Sequence, residues 1–327
     1  MKRILRQLTT RPVWWWERKR QYAIRARYDL LPVLPVARGR VQFVVLTTPE
    51  TLKDALWAAW SWYRYLRPHR FELQLAVDGE LGETEKHAVR RLFPGISIYD
   101  VNSVIVSLCE ERSALGTFLR HHPLAKQVGL VLAMSRKGPV LYSDHDVVAF
   151  NPPVELQACI ESNIPCYFLD DENGCHDQSF AGTLSAMGVD FIRRLNAGFL
   201  YVPCGALSID LAEHILANWN PVRFVYFTPQ TVMSALMQYA NAQPLPHSRY
   251  VISNRRQFYW EKDVDYEAIA ARHFTGTVRH VLYKYGIPMI LKQSQVYHSY
   301  GLQAQSDPRE ETVGSRDCAT ARRGEAV

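Results

Sequence analysis

Leu141-Tyr142-Ser143-Asp144-His145-Asp146 is the stretch on which the fold turns. Gly138 and Pro139 break the chain just before it, and Val140-Leu141-Tyr142 then reads as a short strand entering a core. The strand stops at two aspartates one residue apart. A carboxylate ending a buried strand needs a partner, because an unpaired charge in apolar surroundings is costly. Alternation along an extended chain puts Asp144 and Asp146 on one side. Hard oxygen ligands so placed suit Mg²⁺ or Mn²⁺ carrying phosphates. Taken alone, the pattern fits a plain strand-end turn more often, with both aspartates capping backbone N–H groups or facing water.

Upstream, Val41 to Leu46 is a strand rich in β-branched residues. Thr47-Thr48-Pro49-Glu50 follows, and a helix over 51–67 shows the apolar stripe Leu52, Ala55, Leu56, Ala59, Trp60, Tyr63. Phe71 to Val77 is a second strand, ending at Asp78-Gly79. The helix over 82–92 places Glu83 and Glu85 early and Arg90-Arg91 late, as a helix dipole prefers. Ile96 to Tyr99 is a third strand, and residues 113–135 read as mostly helical. This alternation predicts a mostly parallel, Rossmann-like sheet with helices on both faces. No GxGxxG follows the first strand, so the dinucleotide-binding fingerprint is missing.

Downstream, Ile164 to Leu169 is a strand closed by the acidic turn Asp170-Asp171-Glu172-Asn173-Gly174. Phe191 to Val202 is β-like, with Gly198 allowing a close approach to the backbone. Helices are expected over 207–218 and 231–240, the second with Thr228 as candidate cap and Pro229 at its first position. Tyr250-Val251-Ile252 is a short strand, and a polar cluster spans 271–280. There His273 offers a nitrogen ligand, Gly276 an unshielded N–H, and Arg279 a fork of donors suited to phosphate. With Asp144 and Asp146 they could hold a metal–diphosphate unit. Singly, each also fits a buried histidine bonded to the backbone, a turn glycine or a surface arginine, and His280 could stand in for His273.

A chain of 327 residues with 47% hydrophobic content fits a soluble protein of one large α/β domain or two smaller ones. No apolar run is long enough to cross a bilayer. Six cysteines without a CxxC, and no signal-peptide pattern, lead to the expectation of a reducing, cytoplasmic setting. Residues 1–40 are basic and contain Trp14-Trp15-Trp16. They read first as an arm packed on the main domain, and second as a peripheral membrane contact. The net charge of +6 suits an anionic ligand or an anionic surface. Beyond residue 40 no basic stripe with interleaved aromatics points to nucleic acid. Residues 303–327 have few large apolar side chains and are expected to be disordered. The plan is an arm over 1–40, a catalytic domain over 41–300 and a tail over 301–327.

Three segments, in order, resemble the GT-A type glycosyltransferases, which use nucleotide-diphospho-sugars. The similar branch includes glycogenin and the bacterial lipooligosaccharide galactosyltransferases. Leu141 to Asp146 resembles that family's strand-end DxD, Leu195-Asn196-Ala197-Gly198-Phe199 its FNAGV segment, and His273-Phe274-Thr275-Gly276-Thr277-Val278-Arg279 its HFxGxxK segment with arginine for lysine. The resemblance covers about 41–291 and implies a GT-A fold. It implies that Asp144, Asp146 and His273 bind Mn²⁺ or Mg²⁺, with Asp144 also near the ribose. Gly276 N–H and Arg279 would hold the distal phosphate, Thr47 and Asp78 the nucleoside, and Lys126 would reach the donor phosphate or sugar. Asn196 and Gly198 would line the sugar and acceptor side. Gln230 would lie near the anomeric carbon, as in retaining members. Pro229 stands where the family has an acid, so that contact is either absent or supplied elsewhere, by Asp170, Asp171 or Glu172; Ser143 departs as well. The implied activity is sugar transfer from a nucleotide diphosphate sugar, UDP-sugar favoured, to a carbohydrate or lipid-linked acceptor. Retention is favoured, and Asp171 is the base if the reaction inverts. A catalytically inactive nucleotide-sugar binding protein is the alternative that intact Asp144, Asp146 and His273 argue against. A sugar nucleotidyltransferase would carry a Gly-rich basic loop where Thr47 to Glu50 stand.

Overall fold

The computed structural model describes residues 23–66, 71–170, 175–252, 264–276 and 278–300. Trp14 to Trp16, Asp171, Glu172 and the expected tail beyond residue 300 lie outside the described residues.

Val41–Thr47 (β1) has apolar side chains to bury on both faces. Phe43 and Val45 enter one core and Val44 the other, all without solvent contact. That is the demand of a strand inside a parallel sheet with helices on each side. Phe71–Val77 (β2) and Val140–Asp144 (β4) flank β1 in parallel, with Ser97–Asp100 (β3) beyond β2. Past β4 the direction reverses. Leu195–Val202 (β7) runs antiparallel to β4, and Cys166–Leu169 (β6) antiparallel to β7. Gln243–Pro244 (β8) closes the edge parallel to β6. Among the described residues the order is β3-β2-β1-β4-β7-β6-β8. A second sheet has the order β5-β10-β9, from Val147–Ala149 (β5), Ala271–His273 (β10) and Tyr250–Val251 (β9).

Leu52–Leu66 (α1) covers one face and buries Trp57, Trp60, Trp62 and Tyr63. A buried indole needs an acceptor for its N–H. Trp57 donates to Arg25 O (3.1 Å), Trp60 to Pro32 O (2.8 Å) and Trp62 to Val147 O (2.9 Å). Residues 23–40, read from sequence as part of the arm, are held here. Leu31 and Leu34 enter the core, and Arg25 Nε meets the buried Asp54 carboxylate at 2.8 Å. Glu83–Leu92 (α2) begins as expected, behind Gly82.

The other face carries Val101–Glu111 (α3), Ser113–His121 (α4) and Lys126–Ser135 (α5). The helix expected over 113–135 is therefore two, broken at His122-Pro123. Proline disfavours the helical conformation of the residue before it, and His122 is extended (φ −98°, ψ 114°). Val154–Glu161 (α6), Gln178–Ala186 (α7), Ile209–Leu216 (α8) and Thr228–Tyr239 (α9) follow. Thr228 is the first residue of α9 rather than its cap; its hydroxyl donates to Asp177 Oδ2 instead (2.8 Å). Asp177 caps α7 through Ser179 N and Phe180 N, so one carboxylate joins the starts of two helices. Arg279–Val281 (α10) leads through a π-turn, Leu282–Gly286, into Ile287–Tyr300 (α11).

Candidate active site

β1 has β2 on one side and β4 on the other, so the sheet order reverses between β1 and β4. In open α/β sheets ligands bind at such a point, beyond the carboxyl ends of the strands. A cavity of about 720 Å³ opens there. Thr47 reaches it from the end of β1, Asp78 from the residue after β2, and Asp144 from the end of β4. His145-Asp146 turns the chain out of the large sheet into β5 of the small one. In that sheet His273 of β10 pairs with Val147, the residue after Asp146. The antiparallel register thus brings His273 beside the two aspartates. A turn, not the extended alternation expected from sequence, aims Asp144 and Asp146 at one point.

One ligand atom each from Asp144, Asp146 and His273 lies within 4.8 Å of the others. Asp146 is buried and Asp144 half-exposed. Asn196 sets the histidine. Its Oδ1 accepts from Gly198 N–H (3.0 Å) and stands 2.8 Å from His273 Nδ1, while its Nδ2 donates to Asp170 Oδ2 (3.4 Å). An amide so oriented makes Nδ1 the protonated nitrogen, and in the neutral ring Nε2 keeps its lone pair toward the carboxylates. Nε2 is 3.2 Å from Asp146 Oδ1 and 4.0 Å from Asp144 Oδ2. Asp146 Oδ1 is buried and has no hydrogen-bond partner among the described residues. Two carboxylate oxygens and an imidazole nitrogen, with one buried oxygen unsatisfied, fit a divalent cation such as Mn²⁺ or Mg²⁺.

The three groups shift one another's titration. Burial, and then the Asp146 charge, raise the Asp144 carboxyl to about 6. Tyr142, also buried, donates its hydroxyl to Asp144 Oδ1. Burial pushes Asp146 up, but His273, His145 and Arg279 together outweigh it and hold its carboxyl well below the usual range. Burial lowers His273, yet Asp146 and Asp144 more than reverse that.

Gly198 is required by space. A Cβ there would lie 2.3 Å from His273 Cε1 and 2.9 Å from Asp144 Oδ2. The strand makes this approach at a bulge: pairing with β6 shifts between Tyr167 and Phe168, next to Asn196. Two glutamines hold the bulge. Gln127 Nε2 donates to Ala197 O, while Gln230 Oε1 accepts from Ala197 N (3.4 Å) and Gln230 Nε2 donates to Cys175 O. Gln230 thus stands on the cavity wall at the start of α9, both ends of its amide engaged by backbone.

Arg279 reaches Asp146 Oδ2 with Nη2, and its Nε is buried without a hydrogen-bond partner among the described residues. Arg279 lines the cavity, as does Gly276, with no atom within 4 Å of its missing side chain. Lys126, at the start of α5, pairs with Asp78 at 2.5 Å. Apart from Asp171 and Glu172, which lie outside the described residues, and His280, the sequence-derived site residues all line this one cavity. The metal cluster takes His273, not His280. Asp170 was only a substitute candidate; it is buried on the cavity wall and bonded to Asn196. Tyr142 and Gln127 were missed. Tyr142 precedes Asp144 by two on one strand face, a signal alternation could have given.

Neither a protein-family model nor a curated protein sequence matches the chain. Solved structures do match. Galactosyltransferase LgtC, in complex with donor and acceptor sugar analogues, is 14% identical over 78% of this chain and 95% of its own, with a TM-score of 0.50. The WbbM bifunctional glycosyltransferase, in its apo structure, is 13% identical over 81% of this chain and 53% of its own, with a TM-score of 0.52. At such identities the likeness speaks for the fold alone. The chain has the GT-A fold of these glycosyltransferases, as the resemblance implied.

Proposed function

We propose that the cavity is the donor site of a metal-dependent glycosyltransferase that takes a nucleoside diphosphate sugar, UDP-sugar by preference, and passes the sugar to a carbohydrate or lipid-linked acceptor. The observation that carries this is the convergence of Asp144, Asp146 and His273 beside an unpartnered Arg279 Nε, at the switch point of the sheet. The cluster leaves a buried carboxylate oxygen, Asp146 Oδ1, without a hydrogen-bond partner among the described residues, and Arg279 and Gly276 on the adjoining wall offer donors for phosphate. A cation–diphosphate unit meets both needs.

When bound, Mn²⁺ or Mg²⁺ supplies charge neutralisation for the departing diphosphate. Arg279 and the Gly276 N–H hold the distal phosphate and stabilise the negative charge that grows there as the anomeric C–O bond breaks. Thr47, Asp78 and Lys126 take the nucleoside end. Asp170 and Gln230 face the sugar from the far wall. In retaining transfer the acceptor attacks from the leaving-group side, and Gln230 Oε1 turns from Ala197 toward the positive anomeric carbon. Its single long bond to Ala197, 3.4 Å, is readily exchanged.

The test is calorimetric titration of UDP with and without Mn²⁺, on wild type, Asp146→Ala and the more exposed Asp144→Asn. Binding that needs the metal and both carboxylates is expected. Binding indifferent to metal and to both substitutions overturns the proposal. Metal-dependent binding of GDP instead changes only the donor.

A further inference from the structure

Four apolar side chains stand in water beside the cavity mouth: Val222 is 91% exposed, Phe224 58%, Tyr226 63% and Leu124 40%. They are held there. The buried His122 accepts from Leu124 N–H through Nδ1 (3.2 Å), so Nε2 carries the proton and donates to Val225 O (3.0 Å). Its ring stacks on Phe224 with centroids 5.0 Å apart. One histidine therefore fixes both the Leu124 and the Val222–Tyr226 segments. A rigidly displayed apolar patch marks a surface that something covers. Tyr226 and Leu124 also line the cavity, whereas Val222 and Phe224 are not among its lining residues.

Of the acids that act on the patch, Asp144 and Asp146 line the cavity and Asp177 is buried, while the exposed charges next to it in sequence are basic. Residues 112–143 contain no Asp or Glu, and neither do residues 214–260. Arg120, His121 and Arg223 are exposed beside the apolar side chains. We propose that this rim is a membrane-docking surface, which inserts Val222, Phe224, Tyr226 and Leu124 into the interface of an anionic bilayer and sets the cavity mouth against it. Aromatic and aliphatic tips next to basic residues are what such an interface binds. Four side chains fall short of the roughly 800 Å² per partner of a stable protein interface, whereas shallow insertion aided by charge needs no larger area. The inference goes beyond the donor-site proposal and does not rest on it.

The test is co-sedimentation of the full chain with phosphatidylcholine vesicles, with and without phosphatidylglycerol. Wild type is expected to pellet with the anionic vesicles and to be released by salt. The double variant Val222→Asp, Phe224→Ser is expected to lose about tenfold in partitioning, with its urea unfolding midpoint and UDP titration unchanged. Val154→Asp, an exposed valine at the start of α6 on the other side of the sheet, is expected to pellet like wild type. Failure of wild type to pellet overturns the inference. So does undiminished pelleting of the double variant, which would place the contact elsewhere in the chain. Equal pelleting with neutral vesicles overturns the anionic selectivity. Self-association of wild type that the double variant abolishes, without vesicle binding, would make the patch a protein interface and overturn the inference as well.

Discussion

Gly198 and Asn196 shape the proposed cation site without being among its proposed ligands. A Cβ at 198 would occupy the space of His273 Cε1, 2.3 Å away, and that of Asp144 Oδ2. Gly198→Ala is therefore expected to weaken Mn²⁺ binding about 10- to 100-fold, the usual effect of disturbing groups that orient metal ligands. Electron paramagnetic resonance of free Mn²⁺ measures this directly. Asn196→Ala leaves His273 Nδ1 and Gly198 N–H without their acceptor and frees the imidazole to turn. A loss of similar size is expected, while Gly276→Ala, with open space at its Cβ, should bind Mn²⁺ like wild type. At this scale much was legible in the sequence. Asp144, Asp146, His273 and Gly198 each have ordinary structural uses, and it is the order of the three segments that carry them that singles them out. Gln127 gives no such signal, because a glutamine early in a helix has many uses, whereas Tyr142 shares a strand face with Asp144 two residues on. Only tertiary contact tells that Gln127 bonds Ala197 O.

The elements hang together through a few polar joints. Asp177 caps α7 and receives the Thr228 hydroxyl of α9, the helix that carries Gln230. Asp177→Ala is expected to cost about 1 to 2 kcal/mol of stability, read as a fall in the urea midpoint at unchanged slope. His122 joins α4, α5 and the Val225 segment. Burial, opposed by smaller contributions from the Val225 carbonyl and Asp177, lowers its pKa below the ordinary 6.5. The unfolded chain then binds its proton at higher pH than the folded one. The stability from this group is complete above pH 6.5 and falls as the pH drops below that toward the lowered folded value. Urea unfolding between pH 8 and 5 should show that decline, and His122→Gln should flatten it. The opening strands and helices were readable from periodicity. The break at Pro123, the reversed β7 and its bulge were not. Strand direction and register are set by which partner lies alongside, and that partner can be distant in sequence, as β4 and β7 are.

For the molecule as a whole, two cores lie on the two faces of one sheet, and the proposed cation site lies at the seam where the large sheet hands the chain to the small one. Ligands that bind only the folded chain stabilise it by mass action, about 2.7 kcal/mol at a hundredfold excess over the dissociation constant. Mn²⁺ with UDP is expected to raise the melting temperature of wild type, and to leave that of Asp144→Asn unmoved, in a thermal-shift measurement. Trp62 sits across the same seam. Its indole donates to Val147 O, next to Asp146, and stacks on Phe199, next to Gly198, with centroids 4.4 Å apart. Both segments that shape the cation site therefore touch one fluorophore that solvent does not reach. The chain carries its own optical gauge of cation binding: the difference between the emission of wild type and of Trp62→Phe isolates it, and an aqueous quencher leaves it lit.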